Sequence, residues 1–79
     1  MAPVGSLHER EYRSFVKKLR AVREAAGMSQ EQVARAMGRS QRFVSHCEVG
    51  NRRVDVIEFR DFCKVYGVRP QDLLDGFAG

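Results

Sequence analysis

Apolar residues along this 79-residue chain recur every three or four positions, in runs cut by single glycines. Tyr12, Phe15 or Val16, Leu19, Val22 and Ala26 make one stripe, and Val33, Ala34 and Met37 a second. Val44 and Cys47 make a third, and Val56, Phe59, Phe62, Cys63 and Tyr66 a fourth. That period belongs to helices with one buried face, and no segment shows the sustained alternation of a half-buried strand. Gly27, Gly38, Gly50, Gly67 and Gly76 each follow a stripe, where a left-handed helix cap favours glycine. Ser6 with Glu9, Ser29 with Gln32, and Asp55 with Glu58 have capping-box spacing. Ser40 suits an N-cap and Pro70 a first helical turn, and Met28 to Val33 and Val54 to Phe59 read as hydrophobic staples. The pattern predicts five helices, over 9–26, 30–37, 41–49, 56–66 and 70–75, the last adding Leu73 and Leu74 behind Val68. An all-α domain over 9–76 is expected, preceded by a loose arm at 1–8 and followed by a tail at 77–79.

Composition narrows what such a bundle can do. At 43% hydrophobic and 30% charged, the chain is globular rather than disordered. No run approaches the ~20 apolar residues of a membrane span, and the first residues lack the apolar core of a signal peptide, so a cytoplasmic protein is expected. A chain of this size buries only roughly 60% of its unfolded surface, which leaves little room for an enclosed substrate pocket. The net charge of +4 is uneven: +3 over 1–38, +3 over 39–53 and −2 over 54–79. A basic face therefore lies in the first two-thirds of the chain, and nucleic acid is its natural partner. Arg10, Arg13, Lys17, Lys18 and Arg20 on the first helix read as a solvated face that helps DNA approach.

The informative stretch is SQEQVARAMGRSQRFVSHCEVG, Ser29 to Gly50. A short helix ends at Gly38, and Gly38-Arg39-Ser40 turns the chain into a second short helix, with the small Ala34 where the two must cross. This is a helix-turn-helix whose second helix is free to enter a DNA major groove. With Val44, Cys47 and Glu48 turned inward, Gln41, Arg42, Ser45, His46 and Val49 face out. Gln can bridge adenine N6 and N7, and Arg can bridge guanine O6 and N7. Arg52 and Arg53 follow at once and could reach phosphates. Phe43 fits either contact with a thymine methyl or packing on the preceding helix.

From Leu19 to Leu74 the chain resembles the Cro/repressor (XRE) helix-turn-helix family, with its lambda-repressor-like fold. LRAVREAAGMSQEQVARAMG, SQRFVSHCEVGNRR and DVIEFRDFCKVYGVRPQDLL carry the resemblance, including the spacing between them. It implies a compact five-helix DNA-binding domain, usually a homodimer on a two-fold-symmetric operator. By the same resemblance, Gln30 touches backbone phosphate and braces Gln41, which reads a base. Arg42 and Ser45 match positions that contact bases or phosphates and His46 one that contacts bases, Arg23 pairs with Glu48, and Asn51, Arg52 and Arg53 grip phosphate. Arg39 departs from the usual aliphatic residue and would reach phosphate instead. Cys47 stands where the family has a larger apolar residue, and Phe43 where it is often small.

Two half-sites multiply the discrimination of one short helix, which favours a homodimer. Pro70, Leu73, Leu74 and Phe77 are the interface candidates. A second class stays open: an antitoxin or anti-activator whose main task is to bind a protein partner, a toxin or an activator, with DNA secondary. An enzyme is not expected, because no Ser-His-Asp or Cys-His arrangement, carboxylate pair or phosphate-binding glycine loop is present. No cofactor or metal is expected either. His46 and Cys47 diverge by about 100° on a helix, so they cannot converge with Cys63 on one ion. The two cysteines read as small buried hydrophobes.

Overall fold

The computed structural model describes residues 4–74, where five helices follow one another: α1 (Val4–Ala25), α2 (Gln30–Met37), α3 (Gln41–Glu48), α4 (Val56–Tyr66) and α5 (Pro70–Leu74). No strand occurs among the described residues. Local side chains set most boundaries. Ser29 Oγ accepts from Gln32 N–H at 3.1 Å while Gln32 Oε1 accepts from Ser29 N–H at 2.8 Å, and this closed box starts α2. Asp55 and Glu58 start α4 in the same way. Ser40 Oγ caps α3 by accepting from Phe43 N–H at 3.2 Å. Gly38 ends α2 at φ +68°, a conformation that costs an L side chain roughly 1–2 kcal/mol.

Some boundaries differ from the pattern. α1 begins at Val4 rather than at Glu9, so Ser6 lies inside the helix. Between Val4 and Glu9 no proline forces a break, and one interior glycine, Gly5, costs only about 1 kcal/mol. α3 stops at Glu48, with Val49 as its right-handed cap and Gly50, at φ +82°, making the turn. α5 is described only to Leu74; Gly76, Phe77 and the tail at 77–79 lie outside the described residues, as do residues 1–3.

The core gathers one or more residues from each helix. Leu19, Val33, Val44, Cys47, Phe62 and Leu73 are fully buried, and Phe15, Val16, Ala34, Phe43, Cys63 and Tyr66 nearly so. Aromatic rings carry much of it: Phe43 stacks parallel to Phe62 at 6.0 Å, Phe62 on Tyr66 at 6.0 Å, and Phe15 meets Phe59 edge-on at 5.4 Å. Both cysteines are free and buried, and burial pushes both thiols up. Three expected core positions are exposed. Val56, at the first turn of α4, is 75% exposed, and Leu74, at the last turn of α5, is 47% exposed. Ala26 falls just past the end of α1 and faces solvent. Their phase is right, but helix ends project beyond the core. No helix among the described residues is long and apolar enough to cross a membrane.

Candidate nucleic-acid interface

α2 and α3 pack against each other across the Gly38-Arg39-Ser40 turn. α3 divides cleanly. Phe43, Val44, Cys47 and Glu48 are buried, Gln41, Arg42 and Val49 are exposed, and Ser45 and His46 are half-buried on the same outer side. The four side chains expected to read bases thus share the solvent-facing surface of one helix. Phe43 does not join them: it is 7% exposed and belongs to the core. Its bulk is taken up by Phe62 on one side and by two guanidinium groups on the other, Arg39 Cζ at 3.8 Å and Arg52 Cζ at 4.8 Å from the ring centre.

A buried ion pair fixes the tilt of this helix. Arg23 on α1 donates through Nε to Glu48 Oε2 at 2.6 Å and through Nη2 to Oε1 at 3.2 Å, with side chains only 11% and 2% exposed. Arg23 Nη1 also donates to Met28 O at 2.8 Å, the residue before the α2 cap. The hydrogen bond to Glu48 holds the Arg23 guanidinium above its ordinary range. Gln30 Nε2 donates to Glu48 Oε1 at 3.0 Å. One hydrogen of its amide nitrogen thus joins the Arg23–Glu48 pair, where Glu48 offers a buried charge. α1, α2 and α3 thus meet on one carboxylate.

A second carboxylate, Glu58 on α4, was legible in the sequence only as half of a capping box. It is 6% exposed and does more. Oε1 accepts from Asp55 N–H at 3.0 Å and from Arg52 Nη1 at 2.7 Å; Oε2 accepts from Arg39 Nη1 at 3.3 Å. Arg39 comes from the turn before α3 and Arg52 from the turn after it, so one carboxylate ties both flanks of the helix. The hydrogen bond from Arg52 holds the Glu58 carboxyl below its ordinary range despite burial. Arg39 and Arg52 remain about two-fifths exposed, at 41% and 42% of their side chains.

Tyr12 holds the loop behind α3. Its hydroxyl accepts from Val54 N–H at 2.9 Å and donates to Arg52 O at 3.3 Å. Arg53 lies over the Tyr12 ring at 4.3 Å and pairs with Glu9. Asn51 is exposed, its N–H donating to His46 O at 3.0 Å. Arg39, Asn51, Arg52 and Arg53 therefore all border α3, three of them with an acidic partner of their own chain. Among the expected interface residues, Leu73 is fully buried in its own core, because α5 turns that face onto the bundle, and it has no surface to offer a second copy. Pro70 and Leu74 are exposed. Leu74 borders an open groove of about 600 Å³ whose apolar wall is Tyr12, Phe15, Val54, Val56 and Phe59, with Glu11, Arg53 and Asp55 as its charged lining. No group of three or more His, Cys, Asp or Glu residues that could hold a metal occurs among the described residues.

This arrangement of two short helices, a glycine turn and an outward polar face is that of a DNA-binding helix-turn-helix. The helix-turn-helix domain family matches residues 14–77, most of the chain, and the protein belongs to it as an XRE-type member. A solved structure of an XRE-family like protein from Pseudomonas syringae pv. tomato str. DC3000 is similar at 41% sequence identity and TM-score 0.86, covering 92% of this chain and 89% of that one. No curated protein matches the chain.

Proposed function

We propose that this DNA-binding regulator is a cytoplasmic repressor acting as a homodimer on a two-fold-symmetric operator. α3 of each copy lies in a major groove. Gln41, Arg42, Ser45 and His46 meet base edges, while Gln30, Arg39, Asn51, Arg52 and Arg53 meet phosphates. The observation that carries this reading is the outward face of α3, where polar side chains stand exposed on a helix whose other residues are locked into the core. Gln41 and Arg42 sit at its amino end, the part of a recognition helix that reaches base edges.

The second copy is placed on the Pro70–Leu74 end. Leu74, with Val56 beside the same groove, exposes apolar surface that a partner copy would cover. The experiment is selection of bound duplexes from a random DNA pool, followed by affinity measurement on the selected sequence and its variants. A palindromic motif with half-sites about one helical turn apart is expected. Arg42→Ala should cost about 1–3 kcal/mol and flatten discrimination at one position of each half-site. Equal weakening on all sequences would make Arg42 a phosphate contact, and no enrichment at all would overturn the proposal.

A further inference from the structure

Two arginines, one buried carboxylate and one aromatic ring converge at the edge of α3, and the fold alone does not require so many charges there. Arg39 and Arg52 belong to different turns, thirteen positions apart in sequence, one entering α3 and one leaving it. Both guanidinium groups lie over the Phe43 ring, at 3.8 and 4.8 Å from its centre, and both donate an Nη1 hydrogen to Glu58. The carboxylate itself is immobilised from behind by Asp55 N–H and by its place in the first turn of α4. Each arginine is thus held at three points: its backbone turn, the ring beneath it and a fixed oxygen. Two positive charges against one negative leave the cluster net cationic, and about two-fifths of each side chain still faces solvent.

From this geometry we infer that Glu58 is a positioning residue for DNA recognition, holding Arg39 and Arg52 as a preset pair that receives backbone phosphates at the two flanks of α3. The inference rests on the reading of α3 as the base-reading helix. An unrestrained arginine loses rotamer freedom when it is fixed on a partner. Here that ordering is complete before DNA arrives, which is the general advantage of preorganisation. Phosphate contacts carry no sequence information, but they set the register in which a helix meets the bases. Loose arginines still attract any duplex; fixed ones hold α3 where Gln41 and Arg42 meet the right edges. Glu58 therefore acts on discrimination, not on charge attraction. Its own negative charge weakens attraction to every sequence alike.

The test measures affinity for a selected site and for unrelated duplex, across a salt series, in wild type, Glu58→Gln, Arg39→Lys and Arg52→Lys. Gln keeps an oxygen for Asp55 N–H and loses the charge. Lys keeps the charge but has no planar group to lie flat on Phe43 while it donates to Glu58. The expected result for each variant is a fall of about tenfold in the ratio of specific to unrelated affinity. For Glu58→Gln, binding to unrelated duplex should tighten. For the lysine variants it should stay level, with an unchanged salt slope, since that slope counts neutralised phosphates. Partial unfolding lowers both affinities together and leaves their ratio intact, so a merely structural role does not imitate the result. If Glu58→Gln does not fold, the lysine variants decide. Ratios within twofold of wild type in those variants overturn the inference while leaving the DNA-reading function standing. Additive losses when Arg52→Lys is combined with Glu58→Gln also overturn it, because independent arginines would not need the carboxylate. A wild type that selects no sequence defeats the function itself and this inference with it.

Discussion

Arg23 and Glu48 show how much depends on one buried contact. Truncating Arg23 to Met would strand a carboxylate that is 2% exposed, with Gln30 as its remaining donor. Removing one partner of a buried ion pair typically costs about 3–5 kcal/mol, and urea unfolding of Arg23→Met should show a loss of that size. Arg35→Met, which breaks a pair with Glu31 exposed at 79% and 67%, should cost under about 1 kcal/mol. Glu58 gives a pH signature. Its carboxyl lies below the ordinary 4.5 because of Arg52, so folding favours the ionised form. That contribution is complete above the ordinary value and fades as pH falls through the folded one. Thermal melts of wild type and Glu58→Gln should therefore differ at neutral pH and converge on acidification below about pH 4.5. A constant gap down to acid conditions would show that the charge of Glu58 contributes nothing to folding.

Helix limits were legible in the sequence where a boundary is written in three or four adjacent residues. Ser29 with Gln32, Asp55 with Glu58, Gly38 and Gly67 place both ends of α2 and α4 where the pattern put them. Ser40 carries the same logic for α3, and Ser40→Ala should lower global stability by about 1 kcal/mol, against a few tenths for Ser40→Gly, by chemical denaturation. The start of α1 was not legible, because a Ser-x-x-Glu box inside a continuous helix looks identical to one that opens it. In the candidate site, the outward side of α3 and the Arg23–Glu48 pair could be anticipated. The role of Glu58 could not: its partners lie 19 and 6 positions away, and only the packing of α4 against the α2–α3 turn brings them together. Phe43 was ambiguous for the same reason, since Phe62, nineteen residues on, decides that it packs rather than reads. Val56 was misjudged because periodicity records direction around a helix axis but not how far the core extends along it.

For the molecule as a whole, pairing of two copies gives a direct readout. Gel filtration with light scattering should give twice the chain mass, on DNA if not before. Leu74→Glu, at a residue 47% exposed, should yield a folded monomer that binds a half-site and loses tight binding to the full palindrome. A strict monomer on the full site would remove the two-fold arrangement. In α3 the side chains that hold the bundle together, Phe43, Val44, Cys47 and Glu48, are different residues from those turned outward, Gln41, Arg42, Ser45, His46 and Val49. On the proposed function, scaffold and address are written on separate letters of the same nine-residue word. Mutation can then rewrite the address while the scaffold stays folded, so a gene duplicate of such a chain can acquire a new target in a few steps, without passing through an unfolded ancestor.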